Sequence, residues 1–357
     1  MSNLQINLGE CVKVYSKHSE CTKCQDICPV SAIRYDENIP KIEDSCIDCG
    51  GCIGTCPTEA ISLKDFNTLD FIFNHVEKKE TLISCKKNIP CLALLSVENI
   101  ISLAILAEDT TLDLGHCSTC EIKTPLEDEI KNNIAEANSY LENIGSSKKI
   151  LFDDISYEEP KVEETSNRRD FLKRFSLKGA VKSKIEFEKQ IEDEEEKSVT
   201  YEDSANLRKK TIPNKRKLLF MALKRVEKPE NFHTFMHEEL SFTSQKSVKD
   251  SCDNCSMCYR ICPTGALQSD RRQTKIEFDA LMCVKCRLCH DVCEPEAMTL
   301  VPYSTKSIFE PKIDELINFK VVRCDECANY FTYFGGEKMC TRCKIEEEEA
   351  KSLWGIQ

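Results

Sequence analysis

The sequence has no long apolar run and no excess of basic charge. Its longest apolar stretch, around Ile100 to Ala107, is too short to cross a bilayer. The first residues, MSNLQINLGE, lack the basic start and apolar core of a secretory signal. The net charge is −12, whereas a nucleic-acid interface needs a basic footprint. These absences predict a cytoplasmic chain with no transmembrane segment and no nucleic-acid partner.

The sequence also lacks the local motifs of the common enzyme classes. It contains no Walker motif, no dinucleotide-binding fingerprint and no Ser-His-Asp order. No acid–base pair stands out among the remaining residues. We therefore predict that the chain is not an enzyme, or is at most a non-catalytic subunit of one.

Cysteine is the residue that the sequence has in abundance, with 24 among 357 residues. Disulfides are dense in short secreted chains, whereas a long chain without a secretory signal favours metal-bound thiolates in a reducing compartment. The cysteines fall into four blocks, Cys11 to Cys56, Cys85 to Cys120, Cys252 to Cys293 and Cys324 to Cys343. The first and third blocks repeat one another, so the chain is modular.

The third block has the clearest spacing. It reads Cys252-x2-Cys255-x2-Cys258-x3-Cys262-Pro263, followed by Cys283-x2-Cys286-x2-Cys289-x3-Cys293. Two-residue spacers let three thiolates wrap one face of a compact cluster, while the fourth must come from elsewhere. Zinc chemistry has no need of this doubled pattern. One departure is Glu294, which separates Cys293 from Pro295 and affects the local turn more than the ligand.

This block resembles a bacterial-type dicluster [4Fe–4S] ferredoxin. In two-cluster ferredoxins, the fourth cysteine of each motif ligates the cluster of the other motif. The resemblance therefore implies two crossed ligand sets. They are Cys252, Cys255, Cys258 and Cys293 for one cluster, and Cys283, Cys286, Cys289 and Cys262 for the other.

The first block repeats this pattern with one change. Its second half, Cys46-x2-Cys49-x2-Cys52-x3-Cys56-Pro57, is intact, and Gly50 and Gly51 allow a close backbone approach. Its first half, Cys21-x2-Cys24-x3-Cys28-Pro29, has His18 where the first cysteine would stand. Cys11 over a longer loop, His18 itself, or a three-iron or labile cluster would each account for this, and we predict Cys11. The resemblance then implies the sets Cys11, Cys21, Cys24 and Cys56, and Cys46, Cys49, Cys52 and Cys28.

The second block places four cysteines around a predicted β-α-β unit. Strands are predicted at Thr81 to Ser84 and Thr110 to Leu114, with a helix from Ser96 to Ala107 between them. Its cysteines are Cys85, Cys91, Cys117 and Cys120, near the ends of the strands, where such folds place sites. The spacing resembles that of two-iron ferredoxins of thioredoxin-like fold, which implies a [2Fe–2S] cluster. Another metal, a redox-active thiol pair and inert cysteines remain alternatives.

The fourth block has two CxxC pairs separated by a segment with aromatic residues and two glycines. Its cysteines are Cys324, Cys327, Cys340 and Cys343. The block resembles a zinc ribbon, in which two knuckles supply a closed tetrahedral site of four thiolates. A rubredoxin-like iron site is the alternative. The acidic run that follows favours docking to a protein over docking to nucleic acid.

Between the second and third blocks the chain has no cysteine. A helix is predicted from Leu126 to Gly145, and a strand from Ile150 to Ile155. The charged residues that follow predict a partly helical linker. Within it, Ser166 to Lys173 resembles a twin-arginine motif but is internal, and Arg208 to Arg225 predicts an amphipathic helix packed on a neighbouring module, with a membrane surface or a partner groove as the alternatives.

We therefore predict an α+β, modular polyferredoxin. The predicted segments are a ferredoxin-like module (1–64), a small α/β domain (65–157), a charged linker (158–240), a second ferredoxin-like module (241–305) and a zinc-ribbon-like segment (306–357). Full cysteine ligation leaves no open position for a substrate, so the predicted function is single-electron transfer with a redox protein partner. The chain also resembles accessory proteins of molybdenum-dependent formate dehydrogenases, which implies that partner class. A maturation factor and a redox sensor for such an enzyme are the alternatives.

Overall fold

The computed structural model describes residues 2–107, 109–155 and 210–354. Most of the predicted linker lies outside the described residues, and so does its twin-arginine-like segment. The described chain mixes short helices and strands, in agreement with the predicted fold class. None of the helices in these ranges is long and apolar enough to cross a membrane.

The first cysteine block forms a unit of two antiparallel strand pairs and three short helices. Its elements are β1 Leu4–Ile6, α1 Val12–Tyr15, α2 Lys23–Asp26, β2 Ile33–Asp36, β3 Ile39–Ile42, α3 Gly51–Thr55 and β4 Ile61–Leu63. Strand β1 pairs with β4, and β2 pairs with β3. Glu37 and Asn38 both have positive φ, which suits the tight two-residue turn between β2 and β3. The cysteine loops lie between these strands.

A three-stranded parallel sheet follows, with helices between its strands. Its elements are α4 Thr68–Glu77, β5 Leu82–Ile83, α5 Val97–Leu106, β6 Thr111–Asp113, α6 Lys123–Asn143 and β7 Leu151–Asp153. The strand order is β5-β6-β7, and both pairs are parallel. The predicted β-α-β unit is therefore present. Ser96 caps α5 as predicted, because its hydroxyl accepts a hydrogen bond from the Asn99 amide.

Helix α6 also follows the predicted pattern. Ile130, Ile134 and Leu141 are buried on one face, at helical spacing. The chain leaves the helix at Gly145, whose φ of +76° is a conformation that glycine adopts at little cost. The predicted strand after it is β7, which extends the sheet to three strands.

Helix α7, Asn214–Leu223, lies in the interval assigned to the charged linker, yet it is packed in the interior. The Arg216 guanidinium donates to Glu98 Oε1 at 2.6 Å and to the carbonyls of Leu281 and Phe242 at 2.7 Å each. Lys215 Nζ donates to the carbonyl of Cys56 at 2.5 Å. This one helix therefore joins the first module, the parallel sheet and the second module, as the predicted amphipathic helix would.

The third block forms a second module with the same plan as the first. Its elements are β8 Thr234–Phe235, β9 Gln245–Val248, α8 Met257–Ile261, β10 Leu267–Ser269, β11 Lys275–Phe278, α9 Leu288–Asp291, β12 Met298–Val301, β13 Tyr303–Ser304, α10 Lys306–Phe309 and β14 Asp314–Asn318. Strand β9 pairs with β12 and β10 with β11, all antiparallel. Strand β14 pairs with β11, although the sequence places it in the ribbon segment.

The C-terminal segment is a hairpin and a helix. Its elements are β15 Val321–Arg323, β16 Tyr330–Thr332 and α11 Thr341–Trp354. Strands β15 and β16 are antiparallel. The side-chain Nδ2 of Asn254 donates to the Thr332 hydroxyl at 2.8 Å, which ties this hairpin to a cysteine loop of the second module.

Candidate metal centres

The three intact cysteine motifs share one backbone path. In each, the residues two and four positions after the first cysteine have positive φ, between 46° and 78°. These residues are Asp48 and Gly50, Asn254 and Ser256, and Lys285 and Arg287. Alternating left-handed residues turn the chain tightly, and such turns form concave backbone surfaces that suit an anionic cluster.

In the second module, the structure brings the thiols of both predicted sets together. Burial first, and then neighbouring thiols, raise the pKa of Cys258 and that of Cys286 far above the ordinary value. The thiols that act on Cys258 are Cys289, Cys252 and Cys255, and those that act on Cys286 are Cys289, Cys262 and Cys283. Burial first, and then Asp253 and Cys293, raise the pKa of Cys252. The fourth cysteine of each motif is therefore near the other motif, as the resemblance implies.

The missing Cys-Pro at Cys293 leaves the turn unchanged. The Ala297 amide donates to Cys293 Sγ at 3.3 Å, and the Ala32 amide donates to Cys28 Sγ at 3.2 Å in the first module. Three residues after each of these cysteines the backbone is left-handed, with φ of 49° at Glu296 and 50° at Ser31. Glu294 therefore replaces a proline without altering the path that presents the thiol.

In the first module, the thiol of Cys11 is near the predicted set, whereas His18 is exposed. Burial first, and then Cys56 and Cys11 among its neighbours, raise the pKa of Cys21. Thr22, the N-cap of α2, has a φ of −126°, so the loop lacks a left-handed residue beside Cys21. The broken motif therefore follows a different backbone path from the three intact motifs. Helix α1 begins directly after Cys11 and leads the chain back toward Cys21.

The remaining set of the first module is also gathered. Burial raises the pKa of Cys52 first, and the neighbouring thiols Cys49, Cys24, Cys46 and Cys28 raise it further. Cys24 belongs to the other predicted set, so the two sets adjoin. Burial raises the pKa of Cys24 itself to about 12. Thiols buried together in this way favour metal ligation, because a bound metal stabilises the thiolate. The residues present fit [4Fe–4S] clusters.

Polar groups contact several of these sulfur atoms. The Tyr35 hydroxyl lies 3.0 Å from Cys24 Sγ, and the Ser244 hydroxyl lies 3.3 Å from Cys283 Sγ. The buried ammonium of Lys246 hydrogen-bonds Cys289 and lies 3.0 Å from His290 Nε2. Burial lowers the pKa of Lys246, but the neighbouring thiolates raise it more, so the net shift is upward. Hydrogen bonds and charge of this kind tune the potential of a cluster.

The two modules meet close to their cysteines. Val12, Leu288 and Val292 form a small buried apolar cluster, against which Cys21 and Cys286 pack. The Glu20 amide donates to Asp291 Oδ2 at 3.1 Å beside it. One ligand set of each module is therefore at the contact between the modules.

The cysteines of the second block are also gathered, at one edge of the parallel sheet. Burial first, and then Cys49, Cys85 and Cys117, raise the pKa of Cys91 to about 12. Burial and then Cys85, with Cys120 among the further neighbours, raise the pKa of Cys117 to about 11. Each of the four predicted cysteines thus neighbours at least one of the others, and Cys49 of the first module is a further neighbour of Cys91.

The four sulfur atoms of the fourth block lie closer together than those of any other block that the structure describes. The ligand atoms of Cys324, Cys327, Cys340 and Cys343 all lie within 4.8 Å of one another. The Cys340 amide donates to Cys324 Sγ at 3.3 Å. Hydrogen bonds from the amides of Cys327 and Cys340 lower the pKa of Cys324 to about 6. This geometry suits a single ion bound by four thiolates.

Sequence reasoning missed Lys246, Arg216 and the role of Gly54. A Cβ at Gly54 would lie 2.2 Å from the carbonyl oxygen of Ala93, so glycine lets the segment after Cys91 pack directly on α3. The spacing of Gly50, Gly51 and Gly54 along one short helix is a signal for such close packing. Lys246 lies in a strand and Arg216 in a charged stretch, and neither has a local signal that predicts burial.

The comparisons with known proteins agree with these geometries. Residues 251–297 match the 4Fe-4S dicluster domain family, and residues 39–62 match the 4Fe-4S binding domain family. An uncharacterised ferredoxin of Methanocaldococcus jannaschii is 31% identical over 107 residues, 30% of this chain and 61% of that protein. The ferredoxin-type protein NapF of Haemophilus influenzae is 38% identical over 52 residues, 13% of this chain and 30% of that protein. No solved structure matches.

The chain therefore covers less than two thirds of the length of these two relatives. A ferredoxin of Methanothermococcus thermolithotrophicus is covered over 85% of its length, with 37% identity over 51 residues, 14% of this chain. Cysteine loops that gather crossed thiol sets, two matched [4Fe–4S] domains and this relative all agree, and the chain belongs to the [4Fe–4S] ferredoxins.

Proposed function

We propose that the chain relays single electrons through four [4Fe–4S] clusters, two in each module. The ligands would be the four crossed sets that the sequence predicts, with Cys11 completing the first. A [4Fe–4S] cluster, when bound, takes up and gives back one electron. Ferredoxin relatives favour an electron carrier over a catalytic enzyme.

The observation that carries this proposal is the order of the thiol sets. In the second module, Cys258 of one set neighbours Cys289 of the other. Cys286 then packs against the same apolar cluster as Cys21 of the first module. Cys52 in turn neighbours Cys24 across the two sets of the first module. Each predicted set is named here by the cysteine that opens its motif, so that the four are the Cys11, Cys46, Cys252 and Cys283 sets. Each set adjoins the next, from the Cys252 set to the Cys46 set, which suits a relay.

Buried hydrogen bonds of α7 link the parts of the chain that carry these sets. Arg216 is 2% exposed and donates to groups from the parallel sheet and the second module. Lys215 adds the contact to the first module, at the carbonyl of Cys56. These buried bonds of α7 add to the direct contact between the modules at Val12, Leu288 and Val292.

The C-terminal set is proposed to bind zinc. Its four sulfur atoms are close enough for one tetrahedral ion, and zinc is the usual ion in closed sites of four thiolates. Helix α11 carries an acidic run, Glu346 to Glu349, with exposed Leu353 and Trp354 beyond it. This end would dock a protein partner.

The proposed partner is a cytoplasmic oxidoreductase. A molybdenum-dependent formate dehydrogenase is the class that the sequence resemblance implies. Affinity capture of the full chain from native anaerobic extract tests this, with the enzyme's molybdenum and formate-dependent activity in the captured fraction as the expected result. Capture without formate-dependent activity would contradict this partner class and leave the relay untouched.

A reductive titration of the holoprotein tests the relay itself. We expect at least about four one-electron equivalents to be taken up and then returned to a one-electron acceptor. The iron content should be unchanged after repeated cycles, whereas a maturation factor would lose iron to an apoprotein acceptor. Failure to take up electrons reversibly would contradict the proposal.

A further inference from the structure

The thiols of Cys85, Cys91, Cys117 and Cys120 share one edge of the parallel sheet. Cys85 follows β5 by two residues, and Cys117 opens a short turn of 3-10 helix after β6. Because β5 and β6 are parallel, their carboxyl ends meet at the same edge. That edge is where α/β folds bind ligands. Cys91 reaches the same place from the loop between β5 and α5.

Buried polar residues hold the two strand ends in register. The Ser84 hydroxyl, next to Cys85, donates to Asp113 Oδ2 at 2.7 Å. The other oxygen of Asp113 accepts from the Gly115 amide at 2.9 Å, at the start of the loop that carries Cys117. Ser84 and Asp113 are both fully buried. Buried hydrogen bonds therefore anchor the loops that carry Cys85 and Cys117.

The spacing of these thiols argues against a single metal ion. Among the residues that the structure describes, the C-terminal set alone has three or more ligand atoms within 4.8 Å of one another. A tetrahedral zinc ion needs that closeness, because each Zn–S bond is about 2.3 Å long. The second block is more open, and so are the four ferredoxin sets. Sulfide-bridged iron suits such an open set, and thiolate ligands favour it.

The site is also continuous with the proposed relay. The segment after Cys91 packs on α3, the helix that carries Cys52 of the Cys46 set. A Cβ at Gly50 would lie 2.7 Å from Leu94 Cδ1, and one at Gly54 would lie 2.2 Å from the Ala93 carbonyl. Small residues on α3 therefore bring this edge of the sheet against the first module.

We propose that Cys85, Cys91, Cys117 and Cys120 bind a fifth iron–sulfur cluster, which forms the end of the relay beyond the Cys46 set. The proposal rests on the proposed function, since it takes the Cys46 set as the neighbouring centre. One electron would pass between the two centres, so that one is oxidised and the other reduced by one electron. The partner at this end would be a one-electron donor or acceptor.

The test compares the full-length wild type with a Cys117→Ser, Cys120→Ser double variant, both purified anaerobically. Iron, sulfide and zinc are measured, with EPR of the reduced proteins. We expect the wild type to hold about two or four irons beyond the sixteen of the modules. The double variant should lose those irons and one EPR signal, and keep the rest. Cys327→Ser is the matched control and should lose zinc and no iron.

Three results would overturn the proposal. They are equal iron in the wild type and the double variant, a second zinc ion in the wild type that the double variant lacks, and a Cys117–Cys120 disulfide in the anaerobic wild type. If the double variant does not fold, the single variant Cys91→Ser is read in the same way. A wild type that holds clearly fewer than the sixteen irons expected of the two modules would instead refute the proposed function. The failure of this proposal and the failure of the proposed function are therefore distinguishable.

Discussion

Lys246 allows the electrostatics of one ligand set to be tested quantitatively. The residue is 4% exposed, and its ammonium hydrogen-bonds Cys289 of the Cys283 set. Two unit charges about 6 Å apart interact by about 3 kcal/mol at an effective dielectric constant of about 20. For a one-electron couple, about 1.4 kcal/mol corresponds to about 59 mV. Replacement of Lys246 by methionine should therefore lower the midpoint potential of that centre by about 120 mV.

The sign follows from the charge. The lysine stabilises the added electron, so its loss makes reduction harder. An EPR-monitored redox titration would resolve the shift, and the other centres should keep their potentials. Lys249→Met is the matched control, because Lys249 is exposed just after the same strand and should leave all potentials unchanged. An unchanged or raised potential in Lys246→Met would refute the reasoning.

The remaining predictions concern ligation, packing and stability. Cys11→Ser should lose about four irons and His18→Ala none, by anaerobic metal analysis; the reverse outcome would identify the histidine as the ligand. Tyr35→Phe removes a hydrogen bond of 3.0 Å to Cys24 Sγ, which is worth about 1 kcal/mol. The midpoint potential of the Cys11 set should therefore fall by about 40 mV in the same EPR titration, and a rise would contradict this. Gly54→Ala should destabilise the protein by about 1 to 3 kcal/mol in urea unfolding, because its Cβ would meet the Ala93 carbonyl, and wild-type stability would count against this packing. Arg216→Met should lower the free energy of unfolding by about 3 kcal/mol in the same assay, because it leaves Glu98 buried without its closest partner. A decrease of less than about 1 kcal/mol would argue against a buried ion pair.

The predicted grouping of the cysteines rests on local spacing, because most members of a set lie on one short loop. The spacing fixes how far apart three thiols lie, and the crossing of the fourth follows from the ferredoxin resemblance. We predict Cys11 over His18 as the fourth member of the first set, although both residues lie upstream of Cys21. The structure places Cys11 near the set because α1 returns the chain over ten residues, a path that no local pattern encodes.

Long-range burial of charge could not be predicted from the sequence. Arg216 reads as part of a basic linker, and its partner Glu98 is 118 residues away on another helix. Strand β14 likewise pairs with β11 of the second module, because backbone hydrogen bonds and not composition decide its neighbour. The prediction of the sheet succeeded because Ser96, the apolar run after it and Gly145 are local signals.

Anaerobic analysis of iron, sulfide and zinc in the full-length protein tests the central claim most directly. We expect at least about sixteen irons and as many sulfides per chain, with one zinc, and EPR signals of reduced [4Fe–4S] clusters. Clearly fewer than sixteen irons in protein purified without oxygen would contradict the four-cluster assignment.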